Sequence, residues 1–354
     1  MEHHRLFTIA DLKDWIIYGK RKEGLCEEVI TTTRAYSFIN NPYVSDDMPV
    51  ISALYVDNEL AAYTAAFPEV LVKPKCTTHW FNSLYVAPKY EGKGYGLFVI
   101  GSLMECYGND PVFDLDAVPT SIEILSYLGL LSSTFIQFNF RKKCIYSNSL
   151  RGKLALAYDK YYRFVYHRKT IDALKSRIQK ASYSIKYDVF IDEESYCFIK
   201  KHAQNDAFLR TKESLNWMLR FPFVHEAPIL SRVKAEQLFS SAKEWQRYYV
   251  VKVYEGNVMV GIYVLSNSKT RLFLLQLYYD VIWQDDIMLS IAEHIIKIDN
   301  AQFATTNPKV ADFVKNNKLY TIHTKKEISI CYPKEYETVI DQAIQGGDGD
   351  MFLN

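Results

Sequence analysis

Residues 85–96 read Tyr85-Val86-Ala87-Pro88-Lys89-Tyr90-Glu91-Gly92-Lys93-Gly94-Tyr95-Gly96, and the glycines at alternate positions make this the stretch best suited to chemistry. Glycine reaches backbone conformations closed to other residues, so such a run turns tightly and gathers several N–H groups on one concave side. An apolar stretch, residues 80–86, enters the loop as a strand, and residues 97–107 leave it with helical spacing. A helix starting directly after the glycines adds the positive end of its dipole. The arrangement is a cradle for a pyrophosphate. A magnesium-dependent phosphate loop needs Gly-Lys followed by Ser or Thr, and Lys93 is followed by Gly94. A dinucleotide fingerprint needs G-x-G-x-x-G opening a strand–helix–strand unit. Here the spacing is G-x-G-x-G with Pro88 ahead of it, and Asp114 or Asp116 would have to hold the ribose.

The elements that position this loop follow from apolar periodicity. Residues 9–18 and 26–39 have helical spacing, and residues 51–67 read as a hairpin turning at Asp57-Asn58. Residues 77–86 form the strand before the loop, and residues 112–116 a short buried strand after the helix. A further helix runs from Pro119 to Gly129, and residues 134–140 alternate apolar and polar as a strand does. Residues 149–186 are rich in Arg, Lys and Tyr, with helical spacing at 153–166 and 171–178, and read as a helical connector.

The second half repeats the order roughly 190 residues later. Residues 192–219 read as a helical pair that packs the second half and walls a cleft. Residues 250–265 echo the hairpin, and Leu277-Tyr278-Tyr279 stands against Leu84-Tyr85-Val86. A helix over 287–298, a strand over 303–306, and Pro308 with the helix after it complete the echo. The place of the glycine loop is held by Asp280-Val281-Ile282-Trp283-Gln284-Asp285-Asp286, with no glycine and three carboxylates. Such a segment neither wraps a phosphate nor attracts one.

Composition narrows the classes further. A chain of 354 residues suggests two domains, and a net charge of +1 gives no electrostatic footprint for nucleic acid or an anionic membrane. No apolar run reaches the length of a membrane span, and the first residues lack the apolar core of a signal peptide. The six cysteines are scattered without a CxxC pair, so neither a zinc site nor a disulfide framework is expected, and the cytoplasm is the expected compartment.

The run from Leu84 resembles the acetyl-CoA-binding motif of the GCN5-related N-acetyltransferases. That motif is an apolar-aromatic-Val triplet, x-Pro, an aromatic, Gln or Arg, then Gly-any-Gly-any-Gly or Ala. The matching residues are Leu84-Tyr85-Val86, Pro88, Tyr90, Glu91, Gly92, Gly94 and Gly96, and Leu128-Gly129-Leu130 stands where the family carries Leu-Gly-Phe. Glu91 departs from the pattern: its charge opposes the pyrophosphate unless the side chain turns away, and Lys93 offsets it. The resemblance implies an α/β (α+β) fold of two tandem acyl-CoA N-acyltransferase-like domains, each a mixed, mostly antiparallel sheet flanked by helices. Residues 1–148 would be the domain with the acetyl-CoA loop, 149–186 the connector, and 187–354 a degenerate copy.

The resemblance also implies acetyl-CoA as co-substrate and no metal. Leu84, Tyr85, Val86, Glu91, Gly92, Lys93, Gly94, Tyr95 and Gly96 would hold the cofactor, with Ser121 as the small residue that lets it approach the later helix. Backbone N–H groups near Leu84 and Val86 would polarise the thioester carbonyl, and a primary amine of a small molecule or peptide would attack directly. The carboxylate base often found on the first strand is replaced by Asn82 and Ser83, leaving His79 and Asp116 as the nearest titratable candidates. The family's acid is commonly a tyrosine four residues before the helix-ending glycine; that position is Leu125, and Tyr127 is two residues out of register. A monomer is expected, the second half replacing a partner subunit. An aminoacyl-tRNA-dependent transferase and a CoA-binding protein without turnover are the alternatives.

Overall fold

The computed structural model describes residues 1–142, 150, 153–154, 157–158, 161, 168–221, 246–268, 270–340 and 344–345. The first half runs β1 (Glu2–Thr8), α1 (Ile9–Tyr18), α2 (Thr32–Ile39), β2 (Pro49–Val56), β3 (Glu59–Val70), β4 (Thr77–Val86), α3 (Tyr95–Tyr107), β5 (Val112–Leu115), α4 (Pro119–Tyr127) and β6 (Leu130–Arg141). The second runs α5 (Arg168–Lys180), β7 (Tyr183–Asp188), α6 (Glu193–His202), α7 (Lys212–Arg220), β8 (Gln246–Glu255), β9 (Val258–Ser268), β10 (Arg271–Tyr279), α8 (Gln284–Ile298), β11 (Gln302–Thr305), α9 (Pro308–Asn316), β12 (Ile322–Pro333) and α10 (Glu337–Ile340). No helix among the described residues is long and apolar enough to cross a membrane.

Local chemistry sets these limits. Thr8 ends β1 and opens α1 through a capping box with Asp11, and Gly19 closes the helix at φ 68°. Asp57 and Asn58 both take positive φ, the turn that matches strand twist in a two-residue hairpin. The helix expected over residues 26–39 is shorter than its apolar spacing suggested. Thr31 caps it by accepting the Arg34 N–H, while Leu25, Val29 and Ile30 are buried on a non-helical segment. The connector expected over 149–186 ends in a strand, β7, and the helix expected at 153–166 falls largely outside the described residues. β1 and β7 were both missed in the sequence because each is an edge strand with one polar, exposed side.

The strands form one twelve-stranded sheet, ordered β1-β2-β3-β4-β5-β12-β6-β11-β10-β9-β8-β7. The order is a pseudo-two-fold in which the last strands are exchanged. β12, from the second half, lies against β5, and β6, from the first half, lies against β11. β6 and β12 then pair antiparallel from Ile322↔Arg141 to Pro333↔Leu130. Strand pairing therefore crosses both ends of the connector, and each half supplies the strand that closes the other.

α6 packs on β9 and β10 of the second half, as expected for the pair, while α7 and the loop before it pack against the first half. Phe208 sits 5.0 Å from Trp80 and 5.8 Å from Phe113, and Trp217 donates its indole N–H to the Ser37 carbonyl at 2.8 Å. The loop between α6 and α7 adds backbone bonds, from Leu209 N–H to Val70 O at 2.7 Å and from Val72 N–H to Ala207 O at 3.0 Å. Within this apolar seam Arg210 is ion-paired with Glu69, whose other oxygen accepts the Trp80 indole N–H at 2.6 Å. Both charged residues are buried. Removing one partner of a buried pair strands the other charge, so Arg210→Ala is expected to lose about 3–5 kcal/mol of stability. Urea unfolding measures this, and a loss below about 1 kcal/mol would show that the pair does not join the halves.

Candidate active site

Two strands that start as neighbours and then separate create the site. β4 and β5 run parallel for three register pairs, His79↔Val112, Trp80↔Phe113 and Phe81↔Asp114. Beyond Phe81, β4 stays with β3 and β5 stays with β12, so the β4 edge from Asn82 to Val86 faces an opening. A bulge marks the divergence: Phe81 opposes Ala66 and Ser83 opposes Ala65, leaving Asn82 as the extra residue. The Asn82 side-chain oxygen accepts a hydrogen bond from the buried Arg34 of α2, which fixes the bulge. The next residues alternate across the sheet. Leu84 and Val86 pack on the α3 side, and Tyr85 lies against Tyr63 with ring centroids 5.7 Å apart.

The glycine loop continues from this edge. A short 3-10 turn, Pro88–Tyr90, leads into Gly92 at φ 76° and Gly94 at φ 78°. A Cβ on either glycine would meet no atom within 4 Å, so these positions need glycine for backbone conformation and leave space on the concave side. Gly96 is glycine for a different reason: a Cβ there would lie 3.2 Å from Val86 and 3.3 Å from Ile124, where α3 crosses β4 and α4. Gly94 is the N-cap of α3, and no side chain caps that end. Its first N–H groups have no side-chain cap and the helix dipole lies behind them, an arrangement able to accept an anion. Lys89 and Lys93 hold their ammonium groups 4.9 Å and 5.0 Å from the Tyr90 ring centroid. Glu91 is exposed, and its charge adds to burial in raising the Tyr85 hydroxyl above its usual range, so its carboxylate lies toward Tyr85. Tyr95 packs 5.8 Å from Tyr90 and gives its hydroxyl to Glu2. Ser121 is half-buried on α4, one turn before the buried Leu125.

The acid–base candidates fall in different places. His79 lies at the closed end of the β4–β5 pair, four residues from Ser83, about 13 Å of extended strand. It is buried, stacked on Tyr107 at 3.5 Å, with Nε2 3.4 Å from Asp110. That position removes it from the opening. Tyr127 points into solvent, on the side of α4 away from Leu125. Asp116 follows β5 in a left-handed turn, φ 55°, and is tied to β12: Lys326 Nζ is 2.5 Å from its carboxylate and its N–H donates to Ser329 O.

Asp114, raised in the sequence only as a ribose-holding alternative, sits at the vertex where β4 and β5 part. It is the last β5 residue paired with β4, and its register neighbours Phe81 and Cys331 both belong to the apolar cluster under α3 and α4 that contains Leu125. Burial, with a lesser push from Asp116, raises its carboxyl to about 7. Its position was readable as a strand alternation, but its surroundings depend on β12, which no local signal announces. Among the described residues no cluster of three or more His, Cys, Asp or Glu could hold a metal ion.

No protein-family model and no curated protein matches this sequence. Solved structures do. A GCN5-related N-acetyltransferase from Kribbella flavida superposes with a TM-score of 0.51 at 11% identity, over 93% of this chain and 71% of that one. A GCN5-related glucosamine N-acetyltransferase region of a fungal multi-domain β-N-acetylglucosaminidase gives 0.50 at 9% identity, over 94% of this chain and 38% of that one. A tandem protein of the same fold from the clavulanic acid pathway gives 0.49 at 8% identity, over 94% and 98%.

His79 makes a prediction that does not depend on any reaction. Burial lowers its pKa from 6.5 to about 4, against a smaller opposing effect of Asp110. The unfolded chain therefore binds the proton first, and stability present above pH 6.5 is lost as pH falls toward 4. The loss is on the order of 3 kcal/mol. His79→Gln is expected to flatten this part of the acid limb in urea unfolding between pH 4 and 7, and an unchanged slope would contradict the assignment. The divergent strands, the bulge and the glycine-opened helix, set in a sheet of this order, give the chain the fold of the GCN5-related N-acetyltransferases.

Proposed function

We propose that the chain is an acyltransferase that moves an acetyl group from acetyl-CoA to a primary amine of a small molecule or peptide. The observation that carries this reading is the continuity of two features: the uncapped, glycine-turned start of α3 and the open β4 edge beside it. The residues fit the cofactor. Gly92, Gly94, Tyr95 and Gly96 present backbone N–H groups to a pyrophosphate, with Lys93 adding charge. Leu84, Tyr85 and Val86 offer a strand edge to the amide-bearing arm, as in strand addition. Acetyl-CoA supplies the activated acyl group when bound.

The remaining chemistry belongs to the chain. The Leu84 N–H, directed into the opening, is a fixed donor for an oxygen that gains charge. Asp114 holds a proton at its carboxyl near neutral pH, on the α3–α4 side, where Leu125 offers no acid. Asn82 orients the bulge through Arg34 and takes no proton. The second half, with Asp280, Asp285 and Asp286 in place of a glycine loop, serves as a degenerate copy that completes the sheet through β12. On the charge balance and cysteine pattern of the sequence, the reading includes the cytoplasm and action without nucleic acid or membrane, and, with the second half in place of a partner subunit, a monomer. A second reading, cofactor binding without turnover, is favoured by one observation: residues 82–86 of β4 carry no carboxylate or imidazole, and Leu125 stands at the position of the acid on α4. Release of free CoA thiol from acetyl-CoA over a panel of amines separates the two. Amine-dependent release supports transfer, and tight binding without release supports the second reading.

Two substitutions test the parts. Gly94→Asp meets no steric obstacle but adds strain and a negative charge at the cradle, so acetyl-CoA affinity is expected to fall at least about tenfold with the melting temperature little changed. Unaltered affinity in a calorimetric titration would contradict the cradle. Asp114→Asn is expected to lower the rate about a hundredfold at pH 7, with cofactor affinity kept. In the wild type, activity should fall as pH rises through about 7, where Asp114 loses its proton, and the variant should lack that limb. A variant with wild-type rate and the same limb would remove Asp114 from the reaction.

A further inference from the structure

The second half has lost the glycine loop and kept the opening. β10 and β11 run parallel from Arg271↔Gln302 to Leu274↔Thr305, and β10 then continues alone on that side to Tyr279. Its bulge falls at Leu275, directly after the last parallel pair, as Asn82 does in β4. Leu277 therefore occupies the position that Leu84 holds in the first half.

What that position binds is visible in the second half. The Leu277 N–H donates to Oε1 of Gln345 at 2.9 Å. Gln345 comes from the segment that follows α10. Its Nε2 lies 3.4 Å and 3.5 Å from the two carboxylate oxygens of Asp206, and one of these accepts the Tyr278 hydroxyl at 2.6 Å. The orientation of the side-chain amide is fixed by chemistry: the backbone N–H requires an acceptor and the carboxylate requires a donor. Both ends of one carboxamide are thus held, one by the strand edge and one by a buried carboxylate. Ile340 at the end of α10 and Ile344 after it line a cavity of about 290 Å³ with Phe135, Phe138 and Pro308. Asp206 lies in the loop that docks on β3 and is close enough to Arg210 for its charge to be felt.

We infer that the opening of the second half is a carboxamide-binding groove, and that its occupant is Gln345 of the chain's own segment after α10. The ligand class follows from the two contacts. A neutral group with an acceptor and a donor on one planar unit fits; a carboxylate does not, because it would face Asp206. A phosphate has no cradle here, since the loop after β10 carries Asp280, Asp285 and Asp286. The inference does not rest on the acyl-transfer reading, and the groove is filled whether or not the first half turns over a substrate.

Hydrogen exchange on the full chain tests it, read at the Leu277 amide. Gln345→Ala removes the acceptor, and Gln345→Glu places a charge against Asp206. Both are expected to speed exchange at Leu277 about tenfold, the size of one net hydrogen bond, while the Val253 and Leu265 amides within the neighbouring strands keep wild-type rates. Propionamide added at high concentration is expected to restore protection at Leu277 in Gln345→Ala, and propionate is not. Unchanged exchange at Leu277 in both variants would overturn the inference. So would equal loosening at Val253 and Leu265, which would make the segment a general support, and so would a failure of propionamide to protect.

Discussion

The account depends on the parting of β4 from β5 after Phe81 and Asp114. A parallel pair that stayed closed would satisfy its own donors and leave no edge for a ligand. Here the separation is held from both flanks. The bulge at Asn82 turns β4 toward β3 and is anchored by Arg34, while β12 holds β5 from the other side. The backbone donors released by the divergence are the inexpensive part of the site, because they stay rigid without needing a partner from the protein. The glycine loop and the uncapped start of α3 continue from the same edge, so one surface runs from the helix start to the strand edge.

The second half also shapes the first opening. It contributes β12, whose Lys326 fixes Asp116 and whose Cys331 lies beside Asp114. It also supplies the docking loop whose Arg210 is buried against Glu69, one hydrogen bond away from Trp80 on β4. The residue next to Trp80 is Phe81, at the vertex of the opening. The electrostatic setting of Asp114 is therefore a property of both halves, and an isolated first half would lack it. In the second opening the same strand geometry receives a side-chain amide. The two openings share one backbone device and differ in the loop that follows the strand: glycines in one case, carboxylates in the other.

Much of this was legible from local sequence. The limits of β4 followed from its apolar run, the first hairpin from Asp57-Asn58, and the tight turn after β4 from its glycines, of which Gly92 and Gly94 take positive φ in open surroundings. The likeness of Leu277-Tyr278-Tyr279 to Leu84-Tyr85-Val86 reappears as matching bulges. What was not legible depends on pairing across long stretches of chain. The exchange of β6 and β12 has no local signature, because either strand reads the same beside either neighbour. The edge strands β1 and β7 carry too little apolar pattern to stand out. His79 looked like a candidate base because a sequence shows its type and not its burial against Tyr107. Asp114 was not marked as an acid for the same reason: its raised pKa comes from enclosure by residues of both halves.

The most direct test of the account is the stoichiometry of acetyl-CoA binding by calorimetry on the whole chain, with ATP and NAD as controls. One molecule per chain, with no heat from the controls, is the predicted result, since one opening has a phosphate cradle and the other holds Gln345. Two molecules per chain would contradict the filled second groove. No binding at all would contradict the cradle itself, and with it the functional reading of the first half.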